Sequence, residues 1–305
     1  MFRHLLVPLD GSLLAEAALP AAAHLAGIFG ARLTLLHVIE RKAPGEIHGE
    51  THLREPESAR AYLEALAARP FAAGLSVEPH VHVAEVESAA AGIAAHIEEL
   101  QPDLIVMCTH GGPHLRRWLS GSVAQKVLGL SRAPILLLQP GEGGSAAPLS
   151  CRRLLVPLDG LAEHEQGLAV AAALAARCSS SLHLALVVHT FVTLSGLKAV
   201  TARFLPAATS ALLEASQLGA AEYLERQTVP LREAGLSVTA EIYRGEPAKS
   251  VVRAAQRVGA DLIVLGTHAR SGLEAFWAGS IAPKICSRCR IPLLLVPVGR
   301  SGALR

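Results

Sequence analysis

Residues 5–11 read LLVPLDG, and residues 154–160 read LLVPLDG again, 149 positions later. Further along, residues 103–110 read DLIVMCTH and residues 261–268 read DLIVLGTH, now at an offset of 158. Gly121-Ser122 and Gly279-Ser280 keep that offset, as do Lys126 and Lys284, and APILLL at 133–138 with IPLLLV at 291–296. Self-similarity at a fixed period decides an architecture before any local reading does. The chain is one unit written twice, and the second copy carries about nine extra residues between its opening motif and its penultimate strand. The joint falls in the PGEGGSAAP stretch at 140–148, a Gly/Pro/Ser run without apolar periodicity. This predicts domains at 1–140 and 152–305, joined by a linker at 141–151.

Within each half, short apolar runs alternate with longer Ala-rich amphipathic ones. In the first half the runs predict strands at 4–8, 32–38, 76–83, 103–108 and 134–138, with helices near 13–28, 56–69, 88–100 and 121–131. The runs at 4–8, 103–108 and 134–138 are nearly all Val, Leu and Ile, which marks strands covered on both faces. Val77 to Val83 instead alternates, as suits a strand nearer an edge. Strands alternating with helices imply right-handed crossovers and a parallel sheet, hence two tandem α/β domains of five strands each. In such sheets ligands bind beyond the carboxyl ends of the strands.

Two strand ends carry distinctive residues. The first strand ends in Asp10-Gly11-Ser12 in one copy and Asp159-Gly160-Leu161 in the other. An Asp there either accepts hydrogen bonds from a ligand or satisfies the free N–H groups of a helix start. The fourth strand ends in Cys108-Thr-His-Gly111 in one copy and Gly266-Thr-His-Ala269 in the other, each followed by the spaced Gly-Ser pair. Glycines let main chain approach an anion closely, and a helix beginning at Gly121 or Gly279 adds free N–H groups, its positive dipole end and a Ser hydroxyl. The pattern is that of a phosphate cradle, with one small-residue substitution per copy, Cys108 and Ala269.

Composition narrows the classes. The 305 residues are 51% apolar and 18% charged, with 28 Lys+Arg against 26 Asp+Glu, so disorder is excluded and no basic stripe for nucleic acid stands out. Mean hydropathy is +0.37, yet no run reaches the roughly 18 apolar residues of a membrane span. The N-terminal stretch reaches Asp10 too soon for a secretory leader, and five scattered Cys do not suggest a disulfide framework, so a cytoplasmic protein is expected. Cys286-Ser-Arg-Cys289 has metal or redox spacing, but it lies late in a helical pattern and lacks two further zinc ligands. His80 and His82 share a strand face with no third ligand in sequence, as on a solvated face. There is no Walker A motif, no nucleophile elbow and no obvious carboxylate pair.

On VPLDG, DLIV-x2-TH and the spaced Gly-Ser, both halves resemble universal stress protein domains, over nearly all of 1–140 and 152–298. The resemblance implies a flavodoxin-like or HUP-type fold of parallel strands sandwiched by helices. It implies ATP as the ligand, with magnesium as an optional companion. Asp10 and Asp159 would contact the adenosine part, and Val38 and Val188 would hold adenine through main-chain groups. Phosphates would lie on Gly111, Gly121, Ser122 and Val123 in one half, and on Gly266, Gly279, Ser280 and Ile281 in the other. The function so implied is a nucleotide-dependent regulator or scaffold in a stress response, without efficient catalysis. A nucleotide-independent dimerisation or interaction module, or a slow ATPase, stands as the alternative. Members often dimerise through the last strand, so the two halves are expected to pair there, with a homodimer beyond; protein partners are unspecified.

Overall fold

The computed structural model describes residues 1–41, 45–47, 50–86, 88–109, 123–141, 144–145, 149–162, 165–194, 196–268 and 281–298. The chain forms two compact units, one built from 1–149 with 292–298 and one from 150–268 with 281–291.

In the first unit the strands are β1 (His4–Pro8), β2 (Arg32–Glu40), β5 (Val77–Val86), β6 (Leu104–Cys108), β7 (Ile135–Leu138) and β12 (Leu293–Val298). Their order is β12-β7-β6-β1-β2-β5, with β5 last, as its alternating pattern predicts. The pairs β1–β2, β1–β6, β2–β5 and β6–β7 are parallel. Only β12 runs antiparallel, setting Leu293, Leu294 and Leu295 opposite Leu137, Leu136 and Ile135. The last strands of the two repeats therefore pair. Helices α3 (Pro56–Ala67), α4 (Ala89–Leu100) and α5 (Val123–Leu130) follow the expected pattern. The helix expected near 13–28 is two, α1 (Leu13–Glu16) and α2 (Leu19–Phe29). Pro20 lacks an N–H and cannot continue a helix through Ala17–Ala18, so it serves in the first turn of a new one. Two short antiparallel strands, β3 (Glu46–Ile47) and β4 (Glu50–Thr51), lie in the stretch after β2.

The second unit orders its strands β10-β9-β8-β11. They are β8 (Arg153–Leu158), β9 (Ser181–Val188), β10 (Ser237–Arg244) and β11 (Leu262–His268). Its helices include α6 (Glu165–Cys178), α7 (Gly196–Phe204), α8 (Pro206–Glu233) and α9 (Pro247–Val258). At 28 residues α8 far exceeds the 12 of α3, so the extra length of the second repeat goes into this helix and α7. Glu165 at the start of α6 accepts from Tyr223 Oη (3.0 Å) and Gln227 Nε2 (2.8 Å), docking α8 there.

The repeated Asp of the DLIV motif has a structural task in both units. Asp103 Oδ2 accepts from the N–H groups of Arg3 (2.7 Å) and His4 (3.0 Å). Asp261 accepts from Arg152 (2.8 Å) and Arg153 (3.0 Å) in the same way. Each carboxylate caps two main-chain donors at the start of the first strand, charge-assisted bonds that fix where that strand begins. Around these clamps the central strands are sealed: Leu5, Leu6, Val7, Leu104, Ile105 and Val106 have no exposed surface.

Candidate functional site

At the carboxyl end of β1 the chain turns through Asp10-Gly11-Ser12. Asp10 Oδ1 accepts from the Ser12 N–H (3.0 Å) and from the Ser12 hydroxyl (2.6 Å). Ser12 Oγ in turn accepts from the Ala15 N–H (3.2 Å) and caps α1. Gly11 turns with φ +91°, a conformation that side-chain-bearing residues rarely adopt, so the Asp-Gly order is a backbone requirement. The second copy repeats it: Gly160 has φ +82°, and Asp159 Oδ1 accepts from the Leu161 N–H (3.1 Å). In both copies the Asp thus closes the turn that follows the strand, accepting from the N–H two residues on.

In the first unit Asp10 has a second situation. It lines a cavity of about 120 Å³ at the ends of β1, β2 and β6, together with Val38, Glu40, His52, Cys108 and Val123. Three of the six residues predicted for the first site, Asp10, Val38 and Val123, come together there, from β1, β2 and the start of α5. Gly111, Gly121 and Ser122 lie outside the described residues. Val38 is held by α4, which crosses so closely that a Cβ on Gly92 would stand 2.5 Å from Val38 Cγ1. Glu40 accepts from the Ala89 N–H at the first turn of α4, where the helix dipole favours a carboxylate.

The sequence reading missed Glu40 and His52 as cavity residues; it named Cys108 only as a substitution in the loop motif. Nothing in the alternation of β2 marks Glu40 as different from any strand-end carboxylate, and His52 comes from the loop after β4. Cys108 stands where the motif has glycine in the other copy. Among the described non-glycine residues only Gln101, Cys151 and Ser179 have left-handed φ, so Cys108 incurs no backbone strain. Burial, with the Asp10 charge adding to it, pushes its thiol up to about 12, so the cavity wall is neutral there. Burial, then His37, hold His52 below the ordinary histidine value, although Asp10 and Glu40 pull the other way. His37 is buried beside it with Nδ1 2.9 Å from the Leu9 carbonyl oxygen and Nε2 3.0 Å from that of Leu53, tying the end of β1 to the loop.

In the second unit Asp159 is exposed at the end of β8, and Val188 is buried at the end of β9. Ile281 immediately precedes the short helix Ala282–Cys286, without a side-chain cap. Gly266 lies inside β11, which runs on to His268, rather than at its end. Its amide nitrogen would be 2.7 Å from a Cβ on Gly167 of α6. It is Gly167 whose smallness this close helix–strand packing requires. Gly279 and Ser280 lie outside the described residues.

The His80–His82 face also differs from its sequence reading. Helix α4 brings a third imidazole against it, that of buried His96, with ring centroids 4.5 Å from His80 and 4.7 Å from His82. His82 Nδ1 is 2.8 Å from His96 Nε2, and His96 Nδ1 is 2.9 Å from Glu99 Oε2. No group of three or more His, Cys, Asp or Glu among the described residues is disposed to hold a metal ion. Burial first, then His80 and His82, lower the pKa of His96, while Glu99 raises it. Burial likewise lowers His4 and His183. A histidine whose folded pKa lies below its unfolded value leaves stability untouched above about pH 6.5; as pH falls through that value the unfolded chain takes up the proton first. Thermal melts are therefore expected to show stability falling as pH drops from 7 towards 5. His96→Gln should flatten that slope, and an equal slope in the variant would remove His96 from the account.

Comparison with known proteins fits the geometry. The universal stress protein family matches residues 1–139 and again residues 150–297. The chain belongs to that family. As a tandem universal stress protein it carries the expected mostly parallel α/β fold twice. A universal stress protein of Synechocystis is 31% identical over 138 residues, 45% of this chain and 86% of that one. One from Methanocaldococcus jannaschii is 35% identical over 75 residues, 25% of this chain and less than half (44%) of its own length. The crystal structure of a universal stress protein from Archaeoglobus fulgidus superposes with a TM-score of 0.66, covering 97% of this chain and 96% of that one. At 19% identity that likeness speaks for the fold alone. No helix among the described residues is long and apolar enough to cross a membrane.

Proposed function

We propose that the first repeat binds ATP at the end of β1, β2 and β6, and that the protein works as a nucleotide-dependent regulator or scaffold rather than an efficient catalyst. The observation that carries this reading is the cavity shared by Asp10, Val38 and Val123, which come from three separate elements. At about 120 Å³ it is smaller than the roughly 300–1,000 Å³ of a site that swallows a whole drug-sized ligand. It suits one flat ring, with the remainder of the ligand outside. Asp10 and Glu40 make the β1–β2 side acidic, which favours ribose hydroxyls and an amino group and disfavours phosphate. The start of α5 at Val123 offers main-chain N–H groups and the positive end of a helix dipole, which favour phosphate. Base and sugar therefore lie along β1 and β2, and the phosphates run towards α5 and the Gly121-Ser122 pair, with magnesium as an optional companion. Asp159, Val188, Gly266, Gly279, Ser280 and Ile281 would form the equivalent second site, in domains set by the repeat at 1–140 and 152–305.

Asp10→Asn tests this without disturbing the turn, because an Asn side-chain oxygen still accepts from Ser12. Loss of the charge weakens a charge-assisted hydrogen bond worth about 1.5–3 kcal/mol, so ATP affinity should fall about tenfold in equilibrium dialysis. Absence of saturable ATP uptake by the unaltered protein at millimolar nucleotide would refute the reading.

A further inference from the structure

The two repeats differ pointedly at the opposite, amino-terminal end of the sheet. In the first unit Phe2, just before β1, meets Phe29 at the end of α2, with ring centroids 5.2 Å apart and edge-on. Adding the 149-residue offset of the opening motif turns this pair into Cys151 and Cys178. The offset holds through this region: β1 pairs His4 with Arg32, and β8 pairs Arg153 with Ser181. It holds in the helix caps as well, since Gly30 (φ +62°) and Ser179 (φ +56°) both adopt the left-handed conformation. Where the first unit packs two aromatic rings, the second therefore places two thiols.

We propose that Cys151 and Cys178 form a dithiol that a small hydroperoxide converts to an intramolecular disulfide. Continuing the β8–β9 register back from Arg153–Ser181 sets Cys151 opposite Ser179, next to Cys178 in the chain. Cys178 ends α6 one residue before that position, so both cysteines lie at the same end of the β8–β9 pair; a disulfide needs their Cα atoms roughly 4.4–6.8 Å apart. The two side chains lie close enough for each to act on the other as a hydrogen-bonding and electrostatic neighbour. The Ser180 hydroxyl donates to the Cys151 carbonyl, and the Ser181 N–H donates to that of Arg152 (2.9 Å), so the two segments are held together at this point. Cys151 itself takes a left-handed φ of +47°, a conformation a side chain resists, and the surrounding bonds hold it there.

Accessibility divides the roles. Cys178 is partly exposed and meets the oxidant, while Cys151 is fully buried behind it. The Cys178 thiolate attacks the peroxide O–O bond, giving Cys178 sulfenic acid and one water (or alcohol). The Cys151 sulfur then attacks the Cys178 sulfur and expels its hydroxyl as a second water, so two thiols and one peroxide yield one disulfide and two waters. The product pins the last residue of the 141–151 stretch to the end of α6. Burial holds both thiols above the ordinary cysteine value, although Arg177 and the hydrogen bond from Cys151 pull Cys178 down. The thiolate is the reacting species, so the rate should climb with pH above neutrality.

The test treats the full chain with a small excess of hydrogen peroxide, quenches with acid, alkylates the denatured protein and reads the intact mass and peptide map. The five alkylatable cysteines should fall to three, with a reductant-sensitive link between the peptides of Cys151 and Cys178. Cys151→Ser should instead accumulate a sulfenic acid at Cys178, trapped by dimedone. Cys151→Phe with Cys178→Phe, which restores the ring pair of the first repeat, should show three alkylated thiols before and after peroxide. All five thiols surviving peroxide, a first link between Cys286 and Cys289, or only links between chains would each overturn the proposal.

Discussion

Gly167→Ala should destabilise the second unit by about 3 kcal/mol, towards the upper end of what an extra methyl group costs in a packed site. A Cβ at Gly167 would stand 2.7 Å from the amide nitrogen of Gly266 and 3.2 Å from the carbonyl carbon of Leu265. Both are main-chain atoms of β11, a strand paired to β8 and covered on both sides, so no side-chain rotation makes room. Either α6 lifts off the sheet or the strand bends. Gly92 in the first unit offers the contrast: its Cβ would be nearer still, 2.5 Å, but to Val38 Cγ1, which a rotamer change moves. Gly92→Ala should cost less and reshape the cavity instead. Gly219, exposed in α8 with nothing within 4 Å of its Cβ position, gives the opposite sign. Alanine there should stabilise by about 0.5–1 kcal/mol through helix propensity. At about 2–4 °C per kcal/mol, Gly167→Ala lowers the melting temperature by about 6–12 °C while Gly219→Ala raises it slightly. Equal melting of Gly167→Ala and the unaltered protein would mean that α6 does not rest on β11.

Leu294→Asp should abolish cooperative folding of the first unit. Leu294 is 2% exposed in β12 and faces Leu136, 1% exposed, in β7. The substitution forfeits about 2–3 kcal/mol of leucine burial. It also leaves a carboxylate without a partner among Leu side chains, at a cost of about 3–5 kcal/mol or a proton taken up to neutralise it. Together these rival the roughly 5–15 kcal/mol that holds a typical domain folded. Leu294→Ile keeps volume and polarity and should cost under about 1.5 kcal/mol. Urea titration followed by circular dichroism distinguishes the two: a broad or absent transition for Asp, a small midpoint shift for Ile. A sharp transition for Leu294→Asp near that of the unaltered chain would show that β12 contributes nothing to the first unit.

Most of the frame was legible because it rests on local chemistry. The apolar runs at 4–8 and 103–108 suit strands covered on both faces, and the alternation at Val77–Val83 suits a strand nearer an edge, where β5 is found. The Asp-Gly turns after β1 and β8 were readable because glycine alone enters left-handed φ cheaply, and Gly11 and Gly160 both do so. The break between α1 and α2 was also written in the chain, at Pro20; the Ala-rich pattern on either side overrode that signal in the reading. The candidate site was legible in outline. Asp10 was marked by its place at a strand end, Cys108 by the loop motif, and Val38 and Val123 by the family resemblance, while Glu40 and His52 were not named, because which loops and strand-end side chains converge depends on crossing angles that no local pattern encodes.

What the sequence determined by itself was the duplication, the order of strands and helices in each copy and the places where the backbone must turn, since all of these follow from periodicity and from the conformational limits of glycine and proline. Tertiary structure decided which side chains meet: His96 against His80 and His82, Gly167 against Gly266, and Cys151 against Cys178. Those contacts join residues far apart in the chain, and their chemistry depends on distances and burial that arise only when helices are laid across strands.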